Sequence, residues 1–297
     1  MSCSRRSARK DLRLTGGLLI DKPAGPTSHD VVARVRRAFN TRAVGHAGTL
    51  DPFATGLLVV LVGRATRLAR FVERQLKRYR ADVTIGVATD TDDSTGAVVA
   101  ERAPAAWPDD AGVRQALHTL EGTYAQRPPA YSARKVEGRR AYAIARAGGE
   151  PVLEARNVTV HSIRLLEWSQ PVATIEAIVS AGTYVRALAR DLGERLGAVA
   201  HCSALRREAI GAFAAANAIA LDALTGTEPL LSPLELLGDM PRVELDADGV
   251  VAVSHGRAVR AEVANGVEAA LIADGRLIAI AESVDGWWHP RVVLEAA

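Results

Sequence analysis

The chain has 297 residues, 48% of them hydrophobic, with 37 Lys and Arg against 34 Asp and Glu and a net charge of +3. That is enough apolar material for roughly two folded domains and excludes wholesale disorder, while the net charge is too small to diagnose a partner. Cys3 and Cys202 are too few and too far apart for a disulfide framework or a zinc site. The basic N-terminus lacks the apolar stretch of a signal peptide, and Leu57–Val62 falls far short of the ~20 residues that span a bilayer, so a soluble, cytoplasmic protein with no membrane partner is expected.

Residues 1–14 read as a mobile basic tail. Gly17–Ile20 is a short buried strand, followed by a loop imposed by Pro23, Gly25 and Pro26. Thr27 or Ser28 caps a helix in which Val31, Val32, Val35, Ala38 and Phe39 form one apolar stripe. Leu57–Val62 reads as a buried strand. Arg64, Arg67, Arg70 and Arg74 then recur on one helix face, and the run 64–80, with seven cations against Glu73, attracts phosphate. Ala81, Val83, Ile85 and Val87 alternate with polar residues as in a half-buried strand, and Thr89–Gly96 is a turn. Val113, Ala116, Leu117 and Leu120 mark another amphipathic helix, and residues 121–150 are polar and basic. Val158–Trp168 and Val172–Ser180 pair as strands before a helix over Leu188, Leu192 and Leu196. Short helical pieces follow over Leu221–Gly238. Beyond Pro241, short runs such as Val250–Val253, Ala269–Ala273, Leu277–Ala281 and Arg291–Leu294 are separated by glycines, as in a small all-β module.

The most informative stretch is Gly45-His46-Ala47-Gly48-Thr49-Leu50-Asp51-Pro52-Phe53-Ala54-Thr55-Gly56. Its glycines permit close backbone approach, and Pro52 keeps Asp51 out of the α region, so one carboxylate sits at a fixed point in a loop backed by a strand. On physics alone a tight turn with a self-bonded aspartate explains it somewhat better.

The segment resembles the catalytic motif of the TruB family of tRNA pseudouridine-55 synthases, with Ala47 where a threonine is common. The likeness extends to Leu19–Asp30, to Lys77-Arg78-Tyr79, to Pro128-Pro129-Ala130-Tyr131-Ser132-Ala133-Arg134-Lys135, to Gly182-Thr183-Tyr184-Val185-Arg186 and to Leu205-Arg206-Arg207. These segments follow the family order over most of residues 15–211.

The resemblance implies isomerisation of uridine to pseudouridine at position 55 in the T arm of tRNA, with no cofactor and no metal. It implies that Asp51 is the essential carboxylate acting on a flipped-out nucleotide, by attack on the sugar, attack on the base or abstraction of a sugar proton. Arg186 is its expected ion-pair partner. Tyr79 is expected against the uracil as a catalytic and binding group, with Tyr184 and Leu205 as pocket walls. His46 is expected to fill the gap left by the flipped base. Lys22 joins the substrate-binding set, and Lys22, Arg134 and Lys135 suit phosphate or structural contacts better than catalysis. The cluster at 64–80 is expected on the RNA surface.

The expected fold is α/β: a mixed, largely antiparallel sheet flanked by helices over 15–239, with an insertion near 104–150 covering RNA, and a PUA-like RNA-binding module over 240–297 directed at the acceptor stem. A monomer is expected. Two rivals stand beside the enzyme: a non-catalytic RNA-binding or tRNA-folding protein, and a hydrolase using Asp51 as nucleophile. Most glycosidases need a second placed carboxylate, and none stands out in the matched motifs.

Overall fold

The computed structural model describes residues 14–131, 135–136, 139–140, 149 and 153–294. The basic tail up to residue 13 and Ser132-Ala133-Arg134 lie outside them, as do the side chains of Lys135, Arg139 and Arg140.

Strand β1 (Gly16–Lys22) leads into helix α1 (Ser28–Ala38). The Thr27 hydroxyl accepts from the Asp30 N–H while the Asp30 carboxylate accepts from the Thr27 N–H, a reciprocal cap that fixes where the helix starts. Val31, Val32, Val35 and Phe39 pack on Leu18, Ile20, Leu58 and Val60. Strands β2 (Val44–His46) and β3 (Thr55–Val62) flank the motif loop. From Gly56 onward β3 is buried on both faces, which is why it reads as an unbroken apolar run. A 3-10 turn (Gly63–Leu68) and helix α2 (Ala69–Arg74) precede β4 (Lys77–Ile85), in which Lys77, Tyr79, Ala81, Val83 and Ile85 share the buried face.

Strands β5 (Val87–Thr89) and β6 (Val98–Glu101) form a hairpin, followed by helix α3 (Asp110–His118) and β7 (Gly122–Gln126). Strand β7 lies in a stretch with no apolar alternation to announce it. Lys135–Val136 (β8) pairs with Arg139–Arg140 (β9). The long pair β10 (Arg156–Ser169) and β11 (Val172–Val179) matches expectation. Helix α4 (Val185–Arg195), β12 (Ala200–Ile210), β13 (Phe213–Ala214) and β14 (Ile219–Ala220) complete this part.

The large sheet runs β14-β1-β3-β12-β4-β11-β10-β7, with β2 on β3 and β13 on β12. It is antiparallel except for β1 with β14 and β3 with β12, so the mixed, largely antiparallel expectation holds. Strand β12 is the pivot. It sets Arg207 beside Gly56 of β3 and opposite Tyr79 of β4, which joins three of the recognised motifs in one place.

A second sheet is built from β15 (Arg242–Glu244), β16 (Val259–Arg260), β17 (Glu268–Ala273), β18 (Arg276–Val284) and β19 (Trp287–Val293), in the order β15-β17-β18-β19-β16. Helix α5 (Ala247–Ser254) interrupts it and takes the Val250–Val253 run that reads as a strand. Four consecutive apolar residues suit a helix as well as a strand. The Asp246 side chain, accepting from the Gly249 N–H at 2.7 Å, starts a helix here.

The two sheets share one core. Ala270, Leu277, Ile280, Val292 and Leu294 pack in the same cluster as Leu57, Val59, Leu61, Phe71 and Leu236. The contact also gives part of the basic cluster protein partners. Arg64 donates to the Leu294 carbonyl at 2.6 Å, Arg67 donates to the Val293 carbonyl, and Arg74 pairs with Glu268 at 2.9 Å. Arg70 and Arg74 also lie over the Phe71 ring. Lys77 is buried and Arg78 pairs with Glu208. Four of the seven cations thus have partners at the second sheet or just beyond its last strand.

Candidate active site

The motif loop is held from three directions. From α1, the Ser28 hydroxyl accepts from the Leu50 N–H at 2.9 Å and donates to the Leu50 carbonyl at 3.1 Å. From the loop after β1, the Gly25 N–H donates to Pro52 O at 2.8 Å, and Lys22 Nζ donates to Pro23 O, Pro26 O and Pro52 O. From β12, Arg207 donates to Gly48 O at 3.0 Å and Thr49 O at 3.3 Å. Gly48 takes a φ of +93° and Gly56 of +99°; a Cβ on Gly56 would stand 2.3 Å from the Arg207 carbonyl, so that position admits only glycine. The loop is a clamped platform, and Asp51 projects from its middle.

Lys22 makes the structural contacts that the sequence also allowed. Its side chain has no solvent exposure, and carbonyls take all three ammonium protons. Burial, which Asp51 only partly offsets, lowers its pKa to about 8.

Asp51, Tyr79, Tyr184, Arg186 and Leu205 line one cavity of about 350 Å³ together with Lys77, Glu73 and Arg207. Arg186 stands in the first turn of α4. Its Nε donates to Asp51 Oδ2 at 2.9 Å, and its Nη1 lies 3.3 Å from Asp93 Oδ2. Its remaining donors reach Thr91 O at 2.6 Å and Tyr131 O at 3.0 Å. A guanidinium so fully engaged presents a fixed edge to Asp51. Tyr184 is fixed by Gln126, whose side-chain amide accepts from the Tyr184 N–H at 2.9 Å and donates to its carbonyl at 3.2 Å. Leu205 is buried, and its carbonyl accepts from the Thr55 hydroxyl.

Among the described residues His46 stands apart from this cavity. Its ring meets His29 edge-on at 5.5 Å. Burial first, then His29 and Arg207, push its pKa down to about 4, so the ring is neutral at pH 7. Lys77 is lowered to about 8, chiefly by burial, and its ammonium donates to the carbonyls of Glu73 and Gln75 at the end of α2. Burial raises the Cys202 thiol far above its ordinary range, so it is an inert core group.

Two residues of the site, Asp93 and Gln126, escape the sequence reading, and a third, Arg207, is seen there without a role. Asp93 lies in a Thr/Asp/Ser/Gly turn that looks like a solvated loop, yet it is buried and its Oδ1 accepts from Thr91 and Thr95. Gln126 sits in the polar stretch before the second proline pair. Arg207 is visible as part of Leu205-Arg206-Arg207, but its neighbour Arg206 goes to the other face and forms a bidentate pair with Asp21.

A family model described as TruB family pseudouridylate synthase (N terminal domain) matches residues 36–185. Two C-terminal models, tRNA pseudouridylate synthase B C-terminal domain and tRNA Pseudouridine synthase II, C terminal, match 186–232 and 240–295. A tRNA pseudouridine synthase B from Thermobifida fusca is 43% identical over 94% of this chain and 98% of its own length. The chain belongs to the TruB family. Another relative of that name, from Symbiobacterium thermophilum, is 48% identical over 81% of this chain and 82% of its own. Among solved structures, the TruB-family fold found here is similar to that in an archaeal box H/ACA sRNP Nop10–Cbf5 complex, with a TM-score of 0.72 at 23% identity over 95% of this chain and 86% of that one. A Cbf5–Nop10–Gar1 complex gives 0.73 at 25% identity over 97% and 87%. Among the described residues no helix is long and apolar enough to cross a membrane.

Proposed function

We propose that this chain, a TruB-family pseudouridine synthase acting on tRNA, isomerises the uridine at position 55 of the T arm, working as a monomer with Asp51 as its catalytic carboxylate. The observation that supports this most is the Asp51–Arg186 pair at 2.9 Å inside a cavity shared with Tyr79, Tyr184 and Leu205. The cavity suits one flipped pyrimidine nucleotide, and extruding the base is what exposes both sides of its glycosidic bond.

The reaction conserves every atom. The N1–C1′ bond breaks, the uracil turns, C5 bonds to C1′, and the C5 proton is lost while N1 ends protonated. Asp51 attacks the sugar, attacks the base or removes a sugar proton. Each role needs a carboxylate held at one point, and the clamped loop with the Arg186 edge supplies that. The aromatic face of Tyr79 stacks on the uracil, and its hydroxyl is the group available to the C5 proton. Leu205 and Tyr184 close the pocket. The neutral His46 ring, outside the pocket, takes the place of the departed base in the loop stack. The second sheet contacts the acceptor stem.

Tritium at uridine C5 tests the reading. Release from a T-arm transcript, mapped to the modified position, is the expected result. Free uracil instead would identify a hydrolase, and RNA binding with neither product would identify a non-catalytic RNA-binding protein.

A further inference from the structure

Arg207 is fully buried, at 1% exposure, and among the described residues no carboxylate lies within ion-pair distance of it. Its acceptors are Leu57 O at 2.7 Å, Gly48 O at 3.0 Å, Thr49 O at 3.3 Å and the Tyr79 hydroxyl at 3.5 Å. Burying a cation without a counter-charge is costly, and a sequence retaining one for packing alone would do better with methionine or leucine. The four acceptors indicate what the charge does. Gly48 and Thr49 lead directly into Leu50 and Asp51. The phenol belongs to the residue placed against the base. A planar fork with five donors can hold these groups at fixed relative positions; a lysine ammonium, with three donors on a flexible stem, cannot.

The hydrogen bond to Tyr79 has a direction. The guanidinium only donates, so the phenol oxygen accepts and its own proton must point elsewhere. Both residues line the cavity, and among the described residues no group accepts from the Tyr79 hydroxyl. Carbonyls satisfy the guanidinium donors without carrying net charge, and the carboxylates that share the cavity, Asp51 and Glu73, stand beyond ion-pair distance of Arg207. The same cation, after burial, helps lower the pKa of Lys22, His46 and Lys77 around the site.

We propose that Arg207 is a positioning residue for the isomerisation: it registers the Tyr79 hydroxyl against the aspartate-bearing loop so that base and ribose are addressed together. This rests on the reading of Asp51 and Tyr79 given above. Wild-type tritium release tests that reading, and the variants below test Arg207 alone.

The experiment is a double-mutant cycle on the full chain with Arg207→Met, Tyr79→Phe and the pair. Single-turnover tritium release is measured at saturating T-arm RNA beside a binding isotherm and a melt. Arg207→Met should slow the step by ~10²-fold or more with RNA affinity changed less than ~3-fold, and Arg207→Lys should recover part of the rate. Because the two residues act through one contact, Tyr79→Phe should cost at least ~10-fold less in the Arg207→Met background than in wild type. Rates that multiply across the cycle, a wild-type rate in folded Arg207→Met, or a loss confined to affinity would each overturn the proposal. If Arg207→Met does not fold, the cycle runs in the Arg207→Lys background, where multiplicative rates overturn it equally.

Discussion

Replacing Asp51 by Asn should separate chemistry from folding, and the structure sets how cleanly. The Asp51 side chain is 33% exposed, while Arg186 is 3% and Asp93 6% exposed. Removing the Asp51 charge leaves Arg186 paired with Asp93 at 3.3 Å and bonded to the carbonyls of Thr91 and Tyr131. The Asn oxygen still accepts from Nε. What is lost is one charge-assisted contact at a partly solvated group, worth ~1 kcal/mol, or a melting shift of about 2–4 °C for a protein of this size. Arg186→Met differs because it strands Asp93 without its counter-charge in the interior, at a cost of ~3–5 kcal/mol. Catalysis should reverse the impression of mildness: an amide neither attacks carbon effectively nor accepts a proton as a carboxylate does, so tritium release in Asp51→Asn should fall by at least ~10³-fold. Thermal melts, a binding isotherm and single-turnover release on both variants decide it. If Asp51→Asn melts as low as Arg186→Met, Asp93 is not sustaining the arginine. If folded Asp51→Asn turns over at even about a tenth of the wild-type rate, the role given to Asp51 is wrong.

Lys22 titrates at about 8 in the folded chain against 10.5 unperturbed, so the unfolded chain holds more protons between those values and stability gained from this residue rises with pH there. Urea melts at pH 7, 8.5 and 10 should show wild type gaining on Lys22→Met as pH rises; a flat or falling difference contradicts the burial argument. His46, at about 4 against 6.5, contributes stability that is complete above 6.5 and lost as pH falls toward 4, so His46→Asn should flatten the acid limb, and the wild-type imidazole should remain neutral by NMR at pH 5.5. Arg64→Met with Arg67→Met should lower the melting temperature by unfastening the second sheet while leaving the salt dependence of RNA binding unchanged. A fall in its slope of ~0.7–0.9 per arginine would return these residues to the phosphate surface.

What the sequence reveals follows from where the physics is local. The stripe of α1, the alternation of β4 and the doubly buried run of β3 are each set by nearest-neighbour periodicity and each is found, although β4 starts earlier, at Lys77, and Val87 falls in the separate strand β5. Asp51 and Arg186 are 135 residues apart in sequence; only the family resemblance, not spacing, brings them together. Asp93 stays hidden because Thr89–Gly96 has the composition of a solvated turn, and nothing local shows that β12 and α4 close over it. Gln126 stays hidden because its partner is a backbone segment 58 residues away. The cations at 64–80 show a related ambiguity. A charge pattern records that donors are present but not what accepts from them, and here the Leu294 and Val293 carbonyls accept from Arg64 and Arg67.

The same ambiguity bears on how the site holds its shape. Lys22, Lys77, Arg186 and Arg207 are all buried around the motif loop, yet of these only Arg186 has carboxylates within ion-pair distance among the described residues. The other three are satisfied by backbone carbonyls and, for Arg207, a phenol. Carboxylate partners would be better for stability, since an opposite charge offsets desolvation more fully than a dipole does. They would also place acids beside Asp51, where like charges compete for the same cations and disfavour the ionised state of each. Carbonyl partners add no acid beyond Asp93, which already shares Arg186 with Asp51, and Glu73, which lines the same cavity. They fix the loop backbone through its own polar groups and tie the geometry of Asp51 to the strands beneath it. A sequence that accepts weaker compensation at three buried cations is one in which the backbone geometry matters more than the stability given up.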